Sequence, residues 1–480
     1  MTGASQAGQT LTADPGAWTG TAPISYAYQW QRCDTAGANC TDIAGATSQT
    51  YLLTSSDVGS TVRFVVNASN SFGQSSANSG VSSIVAAAGS LGFQDHSFSG
   101  AGDDRPSSSK PESKLWWNDG SWWADMWDPT SVSHHIFRLN TSTQTWIDTG
   151  VQLDDRASTR SDTLWDGTHL YVASHVVNSC DCSTSAFGTP SRLYRYSYSA
   201  TTKTYSLDAG FPVAINDTST ETLVIDKDST GTVWATWAQD NKVEVAHTIG
   251  GDDQIWAAPF VLPVSGADNL GSDDISSVIA FGGNKIGIMW SNQVASAMYF
   301  AIHIDGTADT QWDPSRTAVQ GPNYADDHVN LKSLQADASG RVFAVVKTSL
   351  NDLPNANPNA PLIMVLVRAP TTGDWSSYVF GRIRDDHTRP ILVLDSEHNV
   401  MHVFATAPVT GGAIYEKSSP LNNISFPDGL GTPVIKDAAS AHMGNATSTK
   451  QSVNSTTGLV VMATNDTTQY YWHAYESLAP

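Results

Sequence analysis

Residues 326–349 read DDHVNLKSLQADASGRVFAVVKTS. A polar head runs into a strand, a turn follows at residues 337–340, and a second strand rich in β-branched and aromatic residues leaves it. The same plan recurs at residues 112–128 (ESKLWWNDGSWWADMWD), 161–175 (SDTLWDGTHLYVASH) and 220–240 (TETLVIDKDSTGTVWATWAQD). Three further copies lie at residues 273–292, 388–406 and 448–466. The turns fall at Gly120, Gly167, Gly231, Gly283, Gly340, Asn399 and Gly458, about 47 to 64 residues apart. That period holds four strands, so the chain reads as all-β, with a seven-bladed β-propeller as its main body.

Working outward, apolar or alternating runs such as residues 191–199, 297–304 and 360–369 read as outer strands packed between blades. Residues 93–98 have no unit of their own and are expected to complete the seventh blade beside TQYYWHAYESL. The propeller therefore spans residues 93–480. Residues 1–86 hold short alternating strands between Gly, Ser and Asp turns and form a separate β-sandwich domain, and the small residues at 87–92 make a linker across which the two domains should move.

Composition bounds the function. With 46 acidic against 25 basic residues the net charge is −21, which argues against nucleic acid and anionic membrane surfaces as partners. No apolar run reaches the length of a membrane span. The opening MTGASQAGQT lacks the features of a signal peptide and reads as a mature or trimmed start. Secretion is expected from the scarcity of Lys, the abundance of Ser and Thr, and the cysteines. Cys33 and Cys40 are spaced to close a hairpin loop as a disulfide, whereas the tight Cys180–Cys182 pair would be strained. The protein is expected to be a monomer.

In a propeller the heads of the innermost strands converge on a central funnel. Here those heads carry Lys110, Glu112 and Lys114; Arg160 and Asp162; Glu221; Asp273 and Asp274; Asp327, His328, Asn330 and Lys332; Asp386, His387 and Arg389; and Lys450. Charges in a narrow tunnel are costly unless paired or functional, so two readings compete: an ion-pair network that fills the tunnel, or a binding and catalytic funnel. Asp-Asp-His occurs twice at matching heads, at 326–328 and 385–387, and favours the second. His328, Lys332, His387 and Arg389 are thus expected together on adjacent blades as the catalytic group. Lys114, Arg160, Asp162, His175, Glu221, Asp274, Asn330 and Lys450 are the expected substrate-binding residues.

His134 and His135 read as loop residues, and His402 lies on a strand whose parity the sequence leaves open. No H-x-x-x-H or comparable ligand spacing assigns a metal; no cofactor is required, and a structural calcium ion is the cation left open. Trp116, Trp117, Trp122, Trp123 and Trp127 crowd the first blade, half expected inside it and half as a platform for pyranose rings.

Two resemblances add to this reading. Residues 1–86, with Trp30, Tyr51, Asp57, Gly59, Arg63 and Asn70, resemble an Ig-like module found in tandem in secreted bacterial proteins, mostly as a spacer. The run DDHVNLKSLQADASG resembles strand heads of BNR and sialidase-like propellers, including secreted polysaccharide lyases. No S-x-D-x-G-x-T-W box is present, and KDSTGTVW has the wrong spacing, which sets sialidase activity aside. The lyase resemblance implies β-elimination on an acidic, uronate-containing polysaccharide. Arg389, Lys332 or Lys450 would neutralise the carboxylate, and His328 or His387 would serve as base or acid. Two alternatives stay open: a glycoside hydrolase pairing Glu221 with Asp274 or Asp162, and a non-catalytic glycan-binding or adhesion propeller.

Overall fold

The computed structural model describes residues 1–103, 105–107, 110–177, 187–334 and 340–478. Cys180, Cys182 and turn residues 335–339 lie outside the described residues. From residue 93 the chain is a succession of antiparallel sheets, each opened by one of the hairpins read from the sequence. The opening strands are Leu115–Asn118, Thr159–Trp165, Val224–Lys227, Ser276–Phe281, Val329–Lys332, Thr388–Asp395 and Met443–Thr447. They define sheets one to seven below.

Each opening strand pairs with the strand after its turn, and further strands extend the sheet to four, or to five in sheets two and three. All seven turn positions carry positive φ, from 56° at Asn399 to 92° at Gly167. A tight hairpin of the favoured hand needs that conformation, which Gly adopts freely and Asn tolerates. Opening strands of consecutive sheets touch, and a bridge from Leu115 to Thr449 joins the first sheet to the last. This all-β arrangement of four-stranded antiparallel sheets is consistent with a β-propeller.

Phe93–Ser97 pairs with Tyr470–Glu476 as the outermost strand of sheet seven, with Trp472 opposite Gln94 and His473 opposite Phe93. Its register is pinned by buried His473, whose Nδ1 lies 2.8 Å from the Asp95 carboxylate. The sheets pack through apolar faces. Trp116, Trp122, Trp123 and Trp127 are all fully buried between sheets one, two and seven. Their ring nitrogens bond Tyr205, Thr457, Asn118 and Ser99. The expected sugar platform is therefore absent here: only Trp117 is part-exposed, and it meets Trp122 edge-on. Each of these residues buries more as core than it would gain at a rim.

The N-terminal unit holds a four-stranded sheet of Thr41–Asp42, Ser25–Cys33, Thr61–Asn70 and Gly73–Asn78, with Thr10–Thr12 and Thr50–Leu52 paired beside it. They close over Trp30, Phe64, Val62 and Leu53. Asp57 accepts bonds from Arg32, the Tyr51 hydroxyl and the Thr54 N–H. Burial works against its charge, yet these donors hold its carboxyl below the usual range. Cys33 and Cys40 form a disulfide.

The segment expected to be a bare linker is bonded on both sides. Ala86 bridges Gln6, Leu91 bridges Lys436, and Ser90 Oγ accepts the Ala438 N–H. Small residues leave the backbone free to pair, which is why they serve here as a joint. No helix among the described residues is long and apolar enough to cross a membrane.

Candidate functional site

The opening strands stand side by side in a closed circuit; the space they enclose is called the channel below, with one mouth at the strand heads and one at the hairpin turns. The head mouth is crossed by the segment that leads into the first opening strand, described at residues 101–103, 105–107 and 110–114. Ser107 Oγ donates to Asn445 O of sheet seven at 2.8 Å. The Lys110 ammonium bonds Glu221 of sheet three at 2.8 Å and Asp327 of sheet five. Asn330 Nδ2 donates to the Lys110 carbonyl at 3.1 Å. Glu112 accepts from His175 at 2.6 Å and from the Leu223 N–H at 3.1 Å. The chain thus fills its own channel with ion pairs and main-chain bonds.

Most of the predicted site residues belong to this filling. Arg160 forks onto Asp103 with bonds of 2.7 and 2.9 Å, and its pKa rises because Asp103 outweighs burial. His175 is enclosed between Glu112 and the Thr220 carbonyl. Lys114 is buried against Asp125 at 2.8 Å and Ser161 at 3.0 Å, and Asp125 also takes His134 Nδ1 at 2.8 Å. Burial disfavours the Asp125 charge, but His134 and Lys114 hold its carboxyl far below the usual range. Asp162 accepts the Ser113 N–H at 2.9 Å and the Ile225 N–H at 2.8 Å, and Asn330 accepts the Leu392 N–H at 3.3 Å. Asp226 does the same for Ala280 at 2.7 Å.

These acceptors stitch the opening strands of sheets two, three and five to the next sheet. A channel-facing strand edge has backbone N–H groups that need partners, which accounts for polar residues at those positions. Asp274 caps a loop instead, accepting Gly271 N–H at 2.6 Å and Gln293 N–H at 2.9 Å. Glu221, Asp162 and Asp274 therefore do not present a pair of carboxylates across an open cleft.

The two Asp-Asp-His runs are not equivalent. His328 Nδ1 lies against Asp326 and, at 2.6 Å, Asp327, and its Nε2 is 3.3 Å from Thr388 Oγ1. Asp326 also takes Lys347 at 2.5 Å. Burial opposes the charge on Asp327, yet His328 and Lys110 hold its carboxyl well below normal. His387 points away from the channel. It is buried beside Phe380 and Tyr415, with Nε2 3.0 Å from the Leu430 carbonyl, and burial lowers its pKa to about 4.

The reason is local. Asp386 and Arg389 have φ of 54° and 48°, and the ladder slips between Thr388 and Ile391 around Pro390, which has no N–H to give. His387 thus does not join His328 and Lys332: His328 is held by Asp327 and Thr388 and Lys332 reaches Ser113, whereas His387 packs against Phe380 and Tyr415. Arg389 is half-buried at the bulge. His134 and His135, expected on a loop, lie in the strand Ser133–Asn140.

Over the described residues the turn mouth is open. A cavity of about 630 Å³ is lined there by Trp165, Asp226, Lys227, Lys285, Lys332 and Lys450, with Pro111 of the crossing segment among its lining residues. Lys227 is paired with Asp166 at 2.7 Å, and Lys450 with Asp162 at 2.5 Å. Lys332 is different. The only hydrogen bond of its ammonium group among the described residues is a long one, 3.3 Å to Ser113 Oγ. Burial and the charge of Lys450 lower its pKa to about 7, against the pull of Asp162 and Asp226. Burial also pushes the Asp226 carboxyl up.

Trp165 is part-exposed, edge-on to Tyr198 and Tyr205. Neither Trp165 nor Asp226 was singled out in the sequence. The signal for Trp165 is its place directly before the Asp166-Gly167 turn, which puts it at a mouth and not inside a blade.

Among the described residues, three groups have ligand atoms close enough to hold a cation: Asp128, His135 and Asp148; Asp326, Asp327 and His328; and His402, Glu416 and Glu476. The second already has the ammonium groups of Lys110 and Lys347 against it. The third resolves the parity of His402, which turns to Glu416 at 2.7 Å between sheets six and seven.

No known protein family and no curated protein matches the sequence. Solved structures give distant likenesses to propeller-type carbohydrate-active proteins. An α-L-arabinanase of Penicillium chrysogenum matches at 11% identity over 70% of this chain and 99% of its own, with a TM-score of 0.41. The polysaccharide lyase Uly1 matches at 10% identity over 77% of this chain and 90% of its own, with a TM-score of 0.44. The Aleuria aurantia lectin matches at 11% identity over 66% and 90%, with a TM-score of 0.36.

Proposed function

We propose that this chain is a secreted polysaccharide lyase acting on a uronate-containing chain at the turn mouth. In this reading the seven sheets are the blades of a seven-bladed propeller, and residues 1–86 are an Ig-like spacer domain. The observation that carries it is Lys332: a buried amine with a pKa of about 7, beside a second lysine, in an open polar cavity. Neutral ligand-sized clefts with a few convergent polar groups and one perturbed ionisable group are where chemistry is expected.

β-Elimination needs a base for the proton α to the uronate carboxylate and a cation to stabilise the charge that develops there. Lys332 Nζ, which burial and Lys450 bring to a pKa of about 7, takes that proton from its neutral form. Lys450 holds the carboxylate. As the C–H bond breaks, its electron pair forms the new double bond, the glycosidic C–O bond breaks, and the leaving oxygen takes a proton from water. Trp165 offers a face for a sugar ring. The reaction needs no cofactor. The base thus moves from His328 and His387, which are committed elsewhere, to Lys332. The Cys33–Cys40 disulfide supports an oxidising, extracellular location.

One observation favours a second reading, glycan binding without cleavage. Lys450, the neutraliser, is itself tied to Asp162 and the Ile225 carbonyl. The test is to offer the protein a panel of acidic polysaccharides and follow absorbance of the unsaturated product. Lyase action produces that absorbance, and Lys332→Ala lowers it roughly 10²-fold or more. Reducing ends without absorbance would replace the lyase with a hydrolase. Binding with neither product would leave a lectin.

A further inference from the structure

We propose that the turn-mouth cavity is a blind pocket that takes the end of a glycan chain, so that no chain threads the channel. The proposal rests on the carbohydrate reading above and adds the mode of recognition to it.

The argument starts from the floor. Pro111 lines the cavity, and its neighbours Lys110, Glu112, Ser113 and Lys114 are all buried. Behind that floor, the Lys110 ammonium bonds carboxylates of sheets three and five. Ser113 is held in both directions, its N–H by Asp162 and its carbonyl by the Thr163 N–H at 2.8 Å. The Lys114 N–H reaches Thr447 Oγ1 of sheet seven at 3.2 Å. The crossing segment is therefore bonded to sheets two, three, five and seven.

A floor of this kind is not a door. Withdrawing it would strip the Lys110 cation from buried Glu221 and part-buried Asp327 and expose Glu112 from its bonds to His175 and Leu223. Uncompensated buried charge of that sort is strongly unfavourable. The cavity's volume of about 630 Å³ lies in the range of sites that enclose small ligands. A short oligosaccharide fits such a space, whereas a polymer needs two open ends.

Lys332 ends the strand Val329–Lys332 and lies within hydrogen-bond reach of the floor residue Ser113. A carboxylate that meets Lys332 and Lys450 has therefore reached the closed end, and it belongs to one of the terminal units of its chain. Everything beyond the pocket stays in solvent and adds little to recognition.

The experiment uses the full chain and three uronans: polygalacturonate, polymannuronate and polyglucuronate. Each is cut to long, intermediate and short mean lengths and presented at equal mass. Equilibrium binding is read at pH 6, where Lys332 is mostly protonated and turnover is slow. A blind pocket makes binding capacity follow the number of chain ends, so halving the mean length roughly doubles it. Capacity that stays constant with length on a uronan that binds overturns the blind pocket and leaves the carbohydrate reading standing. No binding to any of the three uronans removes the uronate reading and this proposal with it. Where cleavage is seen, early products confined to short oligomers with little loss of viscosity support the proposal. An early ladder of all sizes with rapid loss of viscosity contradicts it.

Discussion

The two mouths of the channel are built from the same strands and hold the same residue types, yet they end in opposite electrostatic states. At the head mouth Lys110 lies between Glu221 and Asp327, Arg160 forks onto Asp103, and His175 is clasped by Glu112. At the turn mouth Lys332 has one long bond to a hydroxyl and a like charge for a neighbour. Burial is similar in both places: Lys110 and Lys332 are 7% and 5% exposed. What differs is whether a counter-charge was supplied. A buried charge with its partner reads as architecture, and a buried amine short of one reads as a candidate for chemistry.

The largest expected effect tests the architectural side. Lys110→Ala takes the cation from the buried Glu221 and the part-buried Asp327 carboxylates and should cost about 3–5 kcal/mol of stability, read as a shift in the urea unfolding midpoint. A change under about 1 kcal/mol would mean that the head mouth is not held by these pairs, and the contrast with the turn mouth would fail.

The second prediction sharpens the same contrast between the two Asp-Asp-His runs. His328 has carboxylates on it, whereas His387 has an apolar cage and a carbonyl. Burial lowers the His387 pKa from the usual 6.5 to about 4. Between those values the unfolded chain holds a proton that the folded chain refuses, so stability falls as pH drops through that window. The loss from this one group approaches roughly 3 kcal/mol by pH 4. His387→Leu forfeits the bond to Leu430, about 1 kcal/mol, but escapes that loss. Urea titrations from pH 7 to pH 4 should therefore show the variant starting less stable and ending more stable than the parent. Parallel curves would show that His387 is not caged.

The legible and the illegible parts of the sequence divide along the same line. The hairpins are local: alternation plus a residue that tolerates positive φ, Gly at six turns and Asn399 at the seventh, is enough to place them. The closing strand at Phe93–Ser97 was legible because an unpartnered run at one end met a sheet short of one strand at the other. The crossing segment was not. Lys110, Glu112 and Lys114 read only as head residues of the first strand, because a bond from Lys110 to Asp327 spans 217 positions and leaves no periodic trace. The non-equivalence of the two triplets did have a signal, Pro390 in DDHTRP against Leu331 in DDHVNL, since a proline in a strand head breaks the ladder there. The roles of Asp162 and Asn330 could not be separated from ligand binding, because an acceptor for a neighbouring strand's N–H and an acceptor for a hydroxyl are the same residue type.

The third prediction turns to the amine itself. Lys332→Met fills nearly the same volume without a charge, and it should leave stability at pH 7 within about 1 kcal/mol of the parent or raise it. The pH dependence carries the sign. Between pH 7 and the ordinary lysine value of 10.5, the unfolded chain holds a proton that folded Lys332 has lost. The parent therefore gains stability relative to Lys332→Met as pH rises through that interval. A difference that is flat from pH 7 to 10 would place the amine in an ordinary solvated state, and Lys332 would lose its claim to act as a base.

The smallest effect concerns the wall of the open mouth. Trp165 is held edge-on by Tyr198 and Tyr205, with centroid distances of 6.5 and 6.0 Å, so its orientation is fixed before any ligand arrives. It is also the aromatic residue among the named lining groups that stays part-exposed, whereas four tryptophans of sheet one are sealed in the core. A ring face stacked on a sugar contributes about 0.5–1.5 kcal/mol, so Trp165→Ala should weaken glycan binding by roughly 2- to 13-fold. Trp117→Ala is the control, since Trp117 is also part-exposed but packs on Trp122 outside the named cavity lining. Direct titration of both variants with the same oligosaccharide reads the difference. If Trp117→Ala weakened binding and Trp165→Ala did not, recognition would belong to the outer face of sheet one, and the turn mouth would be left as a cavity without a ligand.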